Sequence, residues 1–220
     1  MQELEIAGKR IAPGTKDYVK VKVSTDLSGS DIYLPIQVVA GREPGANLAV
    51  LAALHGSEWL SVEVIRKLVA VLDPSKMAGN VITVPVGNPV AFNYMTRNTP
   101  DESDNADLNR VFPGTFTWFA ELLAQTITRE VLRKSNFLVD LHMGIWGSAM
   151  GATAYGIDFP HAEVNEKSRQ LAKAFGYPIV QRGKIVTHFP GPKSAAGYAG
   201  LLPQINNAEP PAALGSDASC

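Results

Sequence analysis

Two almost unbroken apolar runs set the limits on what this chain can become: NLAVLAAL at 47–54 and FLVDLH at 137–142. A strand with one wet face alternates apolar and polar residues. A run without alternation must be covered on both faces, as the strands of parallel sheets are. A helical pattern follows the first run at 57–72, and another, from 117 to about 134, precedes the second. Buried strands trading places with helices imply βα units, and hence an α/β fold with a mixed, largely parallel sheet sandwiched by helices.

The remaining segments fit that frame. YVKVKVS at 18–24 alternates and IYLPIQVVA at 32–40 is apolar, so residues 1–45 read as a β-rich N-terminal part, and VITVPV at 81–86 reads as a further strand. A helix from about 161 to 175 should end at Gly176, with Pro178 beyond it and a short YPIV strand at 177–180. Trp59, Trp118 and Phe119 read as core. With 220 residues, 45% of them hydrophobic, and no internal repeat, 1–220 is expected to form a single domain burying roughly 70% of its unfolded surface. Two stretches are irregular. One is the connection at 87–114, about 28 residues long and thus of the length that is usually functional or disordered. The other is the tail at 206–220.

Charge and composition narrow the chemistry. The 20 basic and 21 acidic residues leave a net charge of -1 without basic runs, which argues against nucleic acid as a partner, because polyanion binding needs clustered Lys and Arg. Residues 1–10 lack a signal-peptide core and no stretch reaches the roughly 18 apolar residues of a membrane span, so no membrane partner and a cytoplasmic location are expected. There is no G-x-S-x-G elbow, no Walker A loop and no G-x-G-x-x-G after a strand. The only cysteine is Cys220, so a transition metal must be held by His and carboxylates.

Four histidines are available. His161 reads as a helix-start residue, and His188, in THFPGPKSAAGY, as a solvated loop residue or a substrate contact. His55 and His142 stand at the ends of the two buried runs, in LHGSE and VDLHMG. Ligands of open α/β sheets bind outside the carboxyl ends of the strands, so these two should face one crevice. Glu58, three residues after His55 in the first turn of a helix, can join them in a His₂Glu set, a catalytic zinc arrangement with one position left for water. The plainer alternative for H-x-x-E is a surface pair or a carboxylate favoured by the helix dipole. In the long connection, Arg97, Asp107, Asn109 and Arg110 offer donors for a substrate carboxylate or an oxyanion. There the alternative is a solvated loop whose arginines pair with Asp101, Glu102 and Asp104.

LHGSE, NPVAFNYMTRNTPDESDNADLNRVFPG at 88–114 and VDLHMG, in that order, resemble the succinylglutamate desuccinylase/aspartoacylase family, whose fold is that of the zinc carboxypeptidases; the likeness runs from about 47 to about 200. The resemblance implies one Zn2+ per chain on His55, Glu58 and His142. It implies that Arg97 polarises the scissile carbonyl, that Asn109 and Arg110 bind the substrate's free carboxylate, and that Asp107 orients the first zinc histidine, with Asp140 a rival for that role. The general base it calls for has its nearest match in GLLPQINNAEPP, as Glu209, followed by Pro210 and Pro211, which cannot continue a central strand. The family's β-rich C-terminal segment is expected to be absent.

The function so implied is that of a zinc-dependent hydrolase cleaving the amide of an N-acyl amino acid or a similar small carboxylate-bearing amide. A metallocarboxypeptidase acting on peptides and a non-catalytic zinc and carboxylate-binding domain remain alternatives. A homo-oligomer is compatible with all three.

Overall fold

A computed structural model describes residues 4–100, 103–115, 117–143, 152–156, 162–176, 179–183 and 199–201. In chain order the elements are β1 (Leu4–Ile6), β2 (Lys9–Ile11), β3 (Thr15–Thr25), β4 (Asp31–Ala40), β5 (Glu43–Ala52), α1 (Trp59–Val71), β6 (Ala78–Val84), α2 (Pro89–Tyr94), α3 (Phe119–Glu130), β7 (Phe137–Leu141), β8 (Ala152–Gly156), α4 (Ala162–Ala174), β9 (Ile179–Gly183) and β10 (Ala199–Leu201). The main sheet has the order β10-β7-β5-β6-β4-β3. Its centre, β7-β5-β6, is parallel, whereas β4, β3 and β10 run antiparallel to their neighbours. The fold is therefore the mixed α/β architecture that the two apolar runs imply.

Those runs lack alternation because both faces of β5 are covered. Ala49 and Leu51 pack with Ala120, Leu123, Ala124 and Ile127 of α3, while Val50 and Ala52 pack with Ile65 of α1 and Ala172 of α4. Burying a side chain such as Ile65 completely contributes about 1.5–3 kcal/mol. β5 and β7 are hydrogen-bonded neighbours in register up to Ala52 and Leu141, so the chain leaves the two strands side by side.

Several sequence expectations shift. The connection at 87–114 is not a plain loop: it contains α2 and a 3-10 turn, Leu108–Arg110. Asn88 starts α2 by accepting from the Ala91 amide at 3.1 Å, with Pro89 in the first turn, where its missing N–H costs nothing. Trp59 and Trp118 are 49% and 60% exposed rather than core, because each sits at the first turn of its helix, outside the apolar stripe. Phe119 does pack against the core. The strand expected at 177–180 overlaps β9, which is described from Ile179 to Gly183. Gly176, at φ 88°, follows α4 in the left-handed conformation that closes a helix. No helix among the described residues is long and apolar enough to cross a membrane.

Candidate functional site

The site grows from the ends of β5, β6 and β7. After β5, Ala53 turns the chain at φ 47°, and the Gly87 and Asn88 amides donate to the Ala52 and Ala53 carbonyls at 2.9 Å each, which binds the exit of β6 to that of β5. Gly56 then passes against α2 so closely that a β-carbon there would lie 2.1 Å from the Ala91 carbonyl carbon. Glu58, the residue before α1, is fixed by its amide, which donates to the His55 carbonyl at 3.1 Å, and by Ser61, whose hydroxyl donates to the Glu58 carbonyl at 2.5 Å. The Glu58 carboxylate makes no cap hydrogen bond to its own helix. It turns to the histidines instead.

His55 Nδ1 lies 2.8 Å from Glu58 Oε1, and His142 Nδ1 lies 2.7 Å from Glu58 Oε2. The two rings are 5.0 Å apart between centroids, and one ligand atom from each of the three residues falls within 4.8 Å of the others. Each histidine is held from behind by its own aspartate: His55 Nε2 is 3.0 Å from Asp107 Oδ1, and His142 Nε2 is 3.0 Å from Asp140 Oδ2. Asp107 also accepts from Arg97 Nη2 at 3.2 Å and from the Asn109 amide at 2.8 Å. Asn109 is buried, with Nδ2 3.5 Å from His142 Nε2, and Arg110 donates to the Asn109 carbonyl at 3.3 Å. Arg97 is half-exposed.

An ionised carboxylate can only accept, so each Nε2 facing an aspartate carries the proton and each Nδ1 is left with its lone pair. Two lone pairs then face the Glu58 carboxylate across less than 3 Å, an arrangement that is repulsive unless a shared cation separates them. Glu58 Oε2 carries the sign of this: it is buried, 2.7 Å from His142 Nδ1, yet no hydrogen bond aligns with it. Two imidazole nitrogens and a carboxylate suit a zinc-like divalent ion, and the donor set fits one. Protons supply the cation otherwise. Burial opposes charge on both rings, but Asp107 and Glu58 raise the pKa of His55, and Asp140 and Glu58 push that of His142 up to about 10. Burial would likewise raise the two acids, but His142 and His55 lower Glu58, and His55, Arg97 and Arg110 hold Asp107 well below the usual carboxylate range.

The structure thus brings His55, Glu58, His142, Asp107, Arg97, Asn109 and Arg110 together, and gives Asp140 the same relation to His142 that Asp107 has to His55. Arg97 reaches Asp107, and Asp104 is bound to Thr99, Ala106 and Ala120. Sequence reasoning missed Asp104 and Thr99, whose five-residue spacing in a polar loop is no recognisable signal. Glu209, His161, His188, Asp101 and Glu102 lie outside the described residues.

Comparison with known proteins points the same way. The succinylglutamate desuccinylase/aspartoacylase catalytic domain matches residues 44–187. An N-alpha-acetyl-L-2,4-diaminobutyric acid deacetylase of Halomonas elongata is 30% identical over 165 residues, covering 73% of this chain and 47% of its own length. The succinylglutamate desuccinylase/aspartoacylase of Rhodobacter sphaeroides superposes with a TM-score of 0.67 at 24% identity, over 80% of this chain and 54% of its own. An aspartoacylase family protein of Mesorhizobium loti gives 0.64 at 26% identity, over 78% and 54%. The chain spans about half the length of these relatives.

Proposed function

Because the chain belongs to the succinylglutamate desuccinylase/aspartoacylase family, we propose that it hydrolyses the amide bond of an N-acyl amino acid, or a similarly small carboxylate-bearing amide, with one zinc ion held by His55, Glu58 and His142. The observation that carries this reading is the Glu58 carboxylate set between two histidine Nδ1 atoms, each ring anchored by its own aspartate. When bound, zinc supplies a Lewis acid and lowers the pKa of a water to about 7.

The protein's own groups do the rest. Asp107 and Asp140 keep both Nε2 atoms protonated and both Nδ1 lone pairs aimed at Glu58, which raises their basicity as ligands. Arg97 offers its guanidinium to the charge that develops on the carbonyl oxygen. Asn109 and Arg110 take the substrate's carboxylate, where a planar fork of donors matches two oxygens. Glu209 is proposed as the base that accepts a proton from the attacking water and hands it to the leaving amine. The diaminobutyric acid deacetylase relative puts N-acetyl amino acids first among substrates to try.

The test is zinc stoichiometry of the purified chain together with a panel of N-acetyl and N-succinyl amino acids and short peptides. One zinc per chain, and hydrolysis of the acyl amino acids that chelation abolishes, is the expected result. A His55→Ala variant that hydrolyses as fast as the parent overturns the reading.

A further inference from the structure

Thr99, Asp104 and Ala106 close the loop carrying Arg97, Asp107, Asn109 and Arg110 on itself. The Thr99 amide donates to the Ala106 carbonyl at 3.1 Å, and the Ala106 amide is shared between Thr99 Oγ1 at 3.0 Å and Asp104 Oδ1 at 3.1 Å. Thr99, 1% exposed, also hydrogen-bonds Asp104 Oδ1 through its hydroxyl. The second oxygen of Asp104 leaves the loop: Oδ2 accepts from the Ala120 amide, 2.6 Å away in the first turn of α3. α3 is the most deeply packed helix among the described residues, with Ala120, Leu123, Ala124 and Ile127 in the core against the central sheet. One carboxylate therefore ties both sides of the loop to the rigid body of the fold, three residues before Asp107 and five before Asn109.

We propose that Asp104 is a positioning residue for substrate binding. By joining Thr99, Ala106 and the first turn of α3, it holds the 3-10 turn Leu108–Arg110 so that Asn109 and Arg110 present their donors to the substrate's carboxylate already ordered. The proposal rests on the hydrolase reading for the identity of that substrate, but not for the geometry. A group that orders a binding surface cuts the cost of binding rather than the chemical barrier, so its loss belongs in KM and in the Kd of a simple carboxylate. Asp104 touches neither the His55, Glu58, His142 cluster nor its aspartates, so zinc binding is not expected to follow it.

The experiment compares Asp104→Asn with the parent for zinc stoichiometry, for KM and kcat on an N-acetyl amino acid, and for the Kd of succinate as a carboxylate that is not hydrolysed. In the variant an amide NH₂ replaces one acceptor and meets the Ala120 or Ala106 N–H donor to donor. KM and the succinate Kd should rise about tenfold, as loss of one or two ordered hydrogen bonds implies, with kcat within about threefold and one zinc per chain retained. Thr99→Val should reproduce the shift, and Thr99→Ser, which keeps the hydroxyl, should leave KM and the succinate Kd at the parent values. Unchanged KM and succinate Kd in a folded variant, or a parallel loss of zinc and kcat, overturns the proposal. If Asp104→Asn does not fold, the Thr99→Val and Thr99→Ser pair decides by the same readouts. A parent chain that binds zinc and succinate but hydrolyses no amide defeats the hydrolase reading, and the succinate Kd still judges Asp104.

Discussion

His55 and His142 end neighbouring strands and are treated alike at close range, each with Nδ1 within 2.8 Å of Glu58 and Nε2 3.0 Å from an aspartate. They are built differently. Asp140 lies two residues before His142 and on the same side of its chain, since strand side chains repeat every second residue; the pairing is local, and its side chains are 4% and 1% exposed for His142 and Asp140. Asp107 arrives from 52 residues along the chain, in a loop, and is shared with Arg97 and the Asn109 amide. One arm of the site is thus set by the sheet. The other is only as exact as the loop at 97–110, and through Asp107 it connects the proposed zinc ligands to Arg97 and the Asn109 amide.

The largest effect should come from the group both arms share. Glu58→Ala removes the carboxylate between the two Nδ1 atoms, and zinc affinity should fall on the order of a thousandfold or more, read by competition with a chromophoric chelator. If the variant binds zinc as tightly as the parent, the two arms do not meet at Glu58. Next is Gly56→Ala, which strikes the His55 arm alone. The added carbon would lie 2.1 Å from backbone that cannot rotate away, so a loss of about 3 kcal/mol and a fall in Tm of roughly 6–12 °C are expected. A variant as stable as the parent would mean that α2 does not brace this arm.

The aspartates themselves divide the arms. Asp140→Asn and Asp107→Asn should each weaken zinc about 10–100-fold, because both histidines lose the carboxylate that fixes their tautomer. Only Asp107→Asn should also raise KM for an acyl amino acid, since it alone releases Arg97 and unseats the Asn109 amide. An equal KM change in the Asp140→Asn variant would erase the distinction.

The same division separates the parts of the molecule that are legible in the sequence from those that are not. β5 and β7 are legible because burial on both faces demands unbroken apolar runs, and the strand-end rule then brings His55 and His142 together. Asp140 is legible too, as a neighbour in a period of two, although the sequence presents it only as a rival to Asp107, and each histidine turns out to have its own aspartate. The loop arm resists. α2 is six residues long, too short for a helical period to show, and its one local mark is Asn88 before Pro89. The tie from Asp104 to Ala120 depends on where α3 begins, and it begins beside Trp118, which reads as core and faces water.

Glu130 provides a reference for the smallest effect, a buried carboxylate held by groups other than histidines. Its side chain, 8% exposed, accepts from Arg129 Nε at 2.6 Å, from Lys134 Nζ at 2.7 Å and from the Ala7 amide at 2.8 Å, tying the end of α3 to the β1–β2 hairpin. Burial works against its charge, but these donors win and hold its pKa at about 2, below the usual glutamate range. A depressed carboxyl contributes stability that is complete above its unfolded pKa and is lost as pH falls through the folded one. Glu130→Gln should therefore cost about 1–2 kcal/mol above pH ~5, discounted because Arg129 is half-exposed, and the gap to the parent should close between pH ~4.5 and ~2. Urea midpoints of both chains across that range measure it. A gap that stays constant down to pH ~2 rules out the ionic contribution of Glu130. A gap that closes assigns that part of the acid sensitivity to the hairpin and α3, and leaves the remainder to be apportioned between the two histidine arms with the Asp107→Asn and Asp140→Asn variants.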